Sequence, residues 1–195
     1  RLNISNNCCI GCDFCYQGCT PQGKHSDIRK FIEDKNSFLY SLHEGTELAI
    51  NGNEPFHPDL ELLLNFCKEH EIIANLTVNE ITLIKNTDKL EKWLEEGLIH
   101  GIGVSPRLYS QYLIDFASTH PTCVVHTIVG ITSSTEYMKM YDKNIKILLL
   151  GYKDFGRGVE FKENTGEQLR ININTRWLKG HVEKLTRHFK VVSLI

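Results

Sequence analysis

The chain has 195 residues, 41% of them hydrophobic, and a formal net charge of −2, with Lys and Arg scattered along it. It is long enough for a single domain over residues 1–195 with a substantial core, and too short for two comfortable ones. The charge pattern excludes the footprint of a duplex nucleic-acid or anionic-membrane binder. No apolar run approaches the ~20 residues that span a bilayer.

Apolar residues switch between short β-like runs and helical spacing, the pattern of β-α units on a parallel sheet. The first run, Leu2 to Ser5, leads into Cys8-Cys9-Ile10-Gly11-Cys12-Asp13-Phe14-Cys15-Tyr16-Gln17-Gly18-Cys19, which holds five of the seven cysteines. An odd count crowded into one loop argues against a secreted disulfide framework and for thiolate ligands in a reducing compartment. Read from Cys9, the run is C-x2-C-x2-C-x3-C, the spacing of a bacterial ferredoxin loop. Read from Cys8, it is C-x3-C-x2-C with an aromatic residue before the last cysteine, which leaves one iron of a four-iron cluster without a protein ligand. A structural zinc site is a third reading, although such sites usually draw ligand pairs from two separated knuckles. Two ferredoxin clusters need eight cysteines, one more than the chain has. The remaining pair, Cys67 and Cys123, falls on a helix stripe and in a strand, where buried structural thiols are expected.

Further along, a helix is expected from Ile28, Phe31, Ile32, Leu39 and Leu42, then a strand over Glu47 to Asn51 closing on Asn51-Gly52-Asn53-Glu54-Pro55. Leu60, Leu63, Leu64 and Cys67 stripe a second helix. Strand Ile72 to Val78 ends at Asn79-Glu80. Leu90, Trp93 and Leu94 make a third helix, with Gly97 at its C-cap. Strand Ile99 to Ser105 runs into Ser105-Pro106-Arg107. Tyr109, Tyr112, Leu113 and Phe116 make a fourth helix, and strand Thr122 to Ile131 and a short helix at Tyr137, Met138 and Tyr141 follow. Strand Ile145 to Leu150 opens into Gly151-Tyr152-Lys153 and a long irregular connection, Gly151 to Thr165. Leu178, Val182, Leu185 and Phe189 stripe the last helix, before a strand-like Val191 to Ile195. Right-handed crossovers roll such a series into a parallel-sheet partial (β/α)6 TIM-like barrel, an α/β fold whose ligands sit at the carboxyl ends of the strands. The polar opening on Arg1 is unlike a signal peptide, which predicts a cytoplasmic protein, and both ends read as trimmed.

On these residues the chain resembles the radical S-adenosylmethionine superfamily. The C-x3-C-x2-C run after the first strand matches that superfamily's cluster loop. Asn51-Gly52-Asn53-Glu54-Pro55 resembles its GGEP element, with Asn53 at the second glycine. The resemblance implies a 4Fe-4S cluster held by Cys8, Cys12 and Cys15, with S-adenosylmethionine on the open iron. Reductive cleavage to a 5′-deoxyadenosyl radical would then abstract hydrogen from a small-molecule or peptide substrate. It further implies Phe14 near the adenine, and Gly52, Asn53, Glu54 and Pro55 around the methionyl ammonium, which suits an acceptor-only carboxylate. Ser105 and Arg107 are candidates for the ribose hydroxyls and the carboxylate, or else a capping serine and a solvated arginine. His126 to Gly130 partly resembles the fifth-strand GxIxGxxE element, which sets Ile128 and Gly130 against the adenine, as it does Gly151 and Tyr152 after the next strand. His126 and Arg157 are substrate candidates, Arg157 for a carboxylate or phosphate. An external electron donor such as flavodoxin or ferredoxin is implied. The alternatives are a glycyl-radical activase and, outside enzymes, a ferredoxin-like electron carrier or structural metal module.

Overall fold

The computed structural model describes residues 1–195 and is α/β. Six strands, β1 (Glu47–Gly52), β2 (Ile73–Asn79), β3 (Gly101–Ser105), β4 (Cys123–Ile128), β5 (Lys146–Leu150) and β6 (Val191–Leu194), form one sheet in that sequential order. The ladders are parallel, with Glu47 opposite Ile73, Val125 opposite Ile147 and Lys146 opposite Val191. Parallel neighbours need crossover connections. α1 (Ile28–Glu33) precedes β1, and the crossovers carry α2 (Leu60–Glu69), α3 (Glu80–Lys85), α4 (Thr87–Glu95), α5 (Gln111–Thr119), α6 (Ser134–Lys139), α7 (Arg157–Glu163) and α8 (Thr165–His188). No helix is long and apolar enough to cross a membrane. The chain divides into two compact units, Arg1–Ile10 with Cys19–Gly103, and Gly11–Gly18 with Val104–Ile195.

In the first unit, β2 buries Ala74, Leu76 and Val78 at every second position, as a strand with one covered face must. The expected stripe of α2 is buried in full, and Gly97, at φ +66°, stops α4 with its N–H on Leu94 O. Three expectations are corrected. Leu2 to Ser5 is not a strand: Leu2 makes a single parallel bridge to Ile50, and the Ile4 N–H goes to Asn51 Oδ1 at 2.7 Å in place of a ladder partner. The helix expected through Leu42 breaks into α1 and a 3₁₀ turn, Phe38–Ser41. The cause is local, because Asp34 Oδ1 accepts from Asn36 N and Ser37 Oγ donates to Phe31 O, drawing the backbone out of the helix. The pair Asn79-Glu80, expected as a post-strand ligand segment, passes straight from β2 into α3: Asn79 caps α3 by accepting from Ile81 N, and Glu80 is buried in its first turn.

The second unit buries Val125 and Thr127 of β4 and Ile147 and Leu149 of β5, together with Leu113 and Phe116 of α5, Tyr137 of α6, and Leu178 and Leu185 of α8. β4 stops at Ile128, short of the expected Ile131, because the N–H groups of Ile131 and Thr132 both turn back onto Ile128 O. Tyr109, expected on the fourth helix, precedes α5 at φ +51°, and Ser110 caps the helix. The connection expected to be irregular from Gly151 to Thr165 contains α7. The last helix begins far earlier than its apolar stripe indicated, at Thr165, where Asn164 Oδ1 accepts from Gly166 and Glu167 N–H. Val182, expected on its buried stripe, is exposed.

Candidate functional site

Within the first unit the end of β1 is tied to the approach to the cysteine run by two asparagine side chains. Asn51, buried, accepts from Ile4 N and donates to Ser5 O at 3.2 Å and to Asn53 Oδ1 at 3.1 Å. Asn53 donates to Ser5 O at 2.8 Å and Asn7 O at 3.0 Å, and its Nδ2 lies 4.0 Å from the buried Cys19 Sγ. The residue standing where the resembled element has a glycine thus spends its side chain on holding residues 5–7. Gly52 needs to be glycine, since a Cβ there would lie 2.8 Å from Val78 Cγ1 and 3.1 Å from Phe56 Cε1. The Glu54 carbonyl accepts from Cys9 N at 2.8 Å. Its carboxylate is divided: Oε1 lies 3.3 Å from Lys85 Nζ, whereas Oε2 is buried without a hydrogen-bond partner. Pro55 is exposed. Ser5 Oγ accepts from Asn7 N and meets His25 Nδ1 at 2.9 Å; burial, and then the neighbouring His57, hold His25 below its usual pKa.

Within the second unit, residues 11–18 form two successive turns. Cys15 N donates to Cys12 O, and Gly18 N donates to Cys15 O. Both carbonyls are also taken by Arg157, whose backbone N–H reaches Cys15 O at 3.1 Å while Nε and Nη2 reach Cys12 O at 3.1 and 2.9 Å. Phe14 meets Phe161 edge-on at 5.8 Å, and Lys153 Nζ lies 4.5 Å above the Tyr16 ring. A groove of about 390 Å³ follows, lined by Asp13, Arg157, Glu160, Phe161, Asn164 and Glu167.

The other candidates of this unit stand on or just after β3, β4 and β5. Ser105 ends β3 half-buried and does not cap α5, because Ser110 does; Arg107 is exposed. His126 and Ile128 are half-buried on β4. Gly130, at φ +85°, is closed over by α8: a Cβ would lie 2.8 Å from Ile171 Cγ2, and Asn174 Nδ2 holds its carbonyl at 3.0 Å. Gly130 thus makes a close contact with α8. Gly151 N donates to Ile195 O, and Tyr152 Oη donates to Gly158 O, bracing the start of α7. Burial, with Asp154 and Glu167 next in weight, raises the Tyr152 pKa.

The chain matches no family model, no curated protein and no solved structure.

No three Cys, His, Asp or Glu side chains are gathered closely enough to hold a metal ion, and none of the seven cysteines forms a disulfide. Cys8, Cys12 and Cys15 are half-buried, Cys9 is exposed and Cys19 is buried. Cys12 and Cys15 flank turns fixed through their carbonyls, Cys8 is held by its amide on Thr20 O, and three thiolates are by chemistry a donor set that iron-sulfur clusters take. The Lys85 contact to Glu54 and the Arg157 clasp on Cys12 carry no signal in the sequence, since each partner lies in a distant segment.

Cys67 and Cys123 are the buried thiols expected. Burial pushes their pKa values up to about 11 and about 12. At pH 8 only ~1 in 1,000 and ~1 in 10,000 are then thiolate. Alkylation of the native metal-free chain, followed by peptide mass mapping, should label Cys9 rapidly and these two only after denaturant is added.

Proposed function

We propose that this chain is a radical S-adenosylmethionine enzyme built as a partial (β/α)6 barrel. Cys8, Cys12 and Cys15 would hold a 4Fe-4S cluster whose fourth iron is left to the cosubstrate. When bound, such a cluster supplies the electron that cleaves S-adenosylmethionine to methionine and a 5′-deoxyadenosyl radical, the hydrogen abstractor for a peptide or small-molecule substrate. The carboxylate of Glu54 carries the reading. A buried carboxylate oxygen with no hydrogen bond costs ~1–3 kcal/mol, and a ligand ammonium is the group that would satisfy it. Gly52 and Asn53 shape the turn that presents it, and Lys85 orients its other oxygen. The two cysteines outside the ligand set also fit, Cys9 being exposed with its amide committed to Glu54 O and Cys19 buried beside Asn53. Cysteines without disulfides suit a reducing compartment such as the cytoplasm, where a flavodoxin or ferredoxin would supply electrons.

Anaerobic reconstitution with iron and sulfide, reduction by dithionite and addition of S-adenosylmethionine should yield 5′-deoxyadenosine, detected by chromatography and mass. An intact cosubstrate together with a cluster spectrum it leaves unperturbed would sink the proposal in favour of an electron carrier.

A further inference from the structure

Arg157 was expected to receive a substrate anion, and its geometry assigns it elsewhere. Both side-chain nitrogens that reach Cys12 converge on one carbonyl oxygen, which already accepts from Cys15 N; the Arg157 amide meanwhile takes Cys15 O. A guanidinium fork fits such a target because its N–H vectors are fixed in one plane and it is always charged. The approach is made possible by Gly156. It sits at φ +53°, ψ −136°, a region glycine alone occupies without strain, and a Cβ there would lie 2.6 Å from Tyr16 O and 2.9 Å from Cys15 O. Lys153 above Tyr16 and Phe161 against Phe14 grip the same turns on either side. The segment 153–161 therefore moulds the backbone that carries two of the cysteines.

We propose that Arg157 is a positioning residue for the cysteine loop: it sets the separation of Cys12 and Cys15 through their carbonyls and places a fixed positive charge beside the metal they bind. This rests on the reading of the loop as a 4Fe-4S site. Two consequences are separable. Losing an outer partner of a metal ligand weakens retention by roughly 10- to 100-fold. Losing a positive charge near a cluster makes its reduced, more negative form less stable and lowers the reduction potential.

The test compares wild type, Arg157→Gln and Arg157→Lys after anaerobic reconstitution, with circular dichroism as the check on folding. Iron and sulfide content, the rate of iron loss to a chelator and the potential from a redox titration followed by electron paramagnetic resonance are recorded. Arg157→Gln should lose iron roughly 10- to 100-fold faster and titrate at a more negative potential. Arg157→Lys, which keeps the charge and loses the fork, should show faster loss at a potential near that of wild type. Wild type and both folded variants sharing one loss rate and one potential would overturn the proposal. A wild-type chain that takes up no iron and sulfide would instead overturn the reading beneath it, and the proposal with it.

Discussion

Cys8→Ala should abolish retention of the proposed 4Fe-4S cluster, whereas Cys9→Ala and Cys19→Ala should leave it bound. The two registers of the cysteine run make opposite demands on these three residues, so alanine substitution separates them with the largest effect available. Removing a thiolate that ligates iron should cost more than the roughly 10- to 100-fold that an outer partner is worth. The backbone argues that the controls are fair. The Cys9 amide is held by Glu54 O and the Cys8 amide by Thr20 O, neither of which an alanine disturbs. Iron and acid-labile sulfide per chain, with the visible absorption of the reconstituted protein, give the readout. A cluster that survives Cys8→Ala and is lost from Cys9→Ala and Cys19→Ala would establish the ferredoxin register and remove the open iron on which the proposed chemistry depends.

Much of the α/β frame is legible in the sequence because apolar periodicity is a local signal. Glu47 to Asn51, Ile72 to Val78 and Ile145 to Leu150 announce strands by themselves, and all fall in the sheet within a residue or two of their expected limits. The misreadings occur where a partner lies far away in the chain. Leu2 to Ser5 has the composition of a strand, but a side chain from β1, Asn51, intercepts the amide a ladder would use. The stretch after β5 looked irregular because the contacts that begin α7 are made to residues 12 and 15, with Arg157 and Cys12 separated by 145 positions. The upstream half of α8 hides because its buried stripe includes Asn174, a polar residue whose amide is used on Gly130 O and Ile131 O. At the candidate site, residue type was readable and direction was not. Arg157 was recognised as a fork for an oxygen acceptor, yet its acceptor is the chain's own carbonyl. Asn53 stood out as a departure from glycine, and the reason for an amide there emerges only with Ser5 O and Asn7 O in view.

Gly23→Ala should be among the most damaging single substitutions in the first unit. An added Cβ would lie 1.9 Å from Asn6 O, 2.2 Å from Asn6 C and 2.6 Å from Asn7 N, all backbone atoms, so no side chain can swing aside. Relief requires residues 20–24 to move away from residues 6–8. That motion breaks Asn6 N to Lys24 O, Thr20 N to Asn6 O, Cys8 N to Thr20 O and the Asn7 Nδ2 bonds to Pro21 O and Gly23 O. At a net ~0.5–1.5 kcal/mol for each of these five bonds, the loss should be about 2.5–7.5 kcal/mol, large beside the usual effect of a point substitution. Gly180→Ala supplies the opposite case: Gly180 is an exposed position within α8 with nothing within 4 Å of its added Cβ, and the change should stabilise by about 0.5–1 kcal/mol. Urea denaturation followed by circular dichroism measures both. Because the Cys8 amide belongs to the same set of bonds, Gly23→Ala should also release iron from the proposed cluster faster than wild type. An unchanged urea midpoint would mean that residues 20–24 accommodate the methyl group without leaving residues 6–8, and that the tether on Cys8 is looser than its hydrogen bonds indicate.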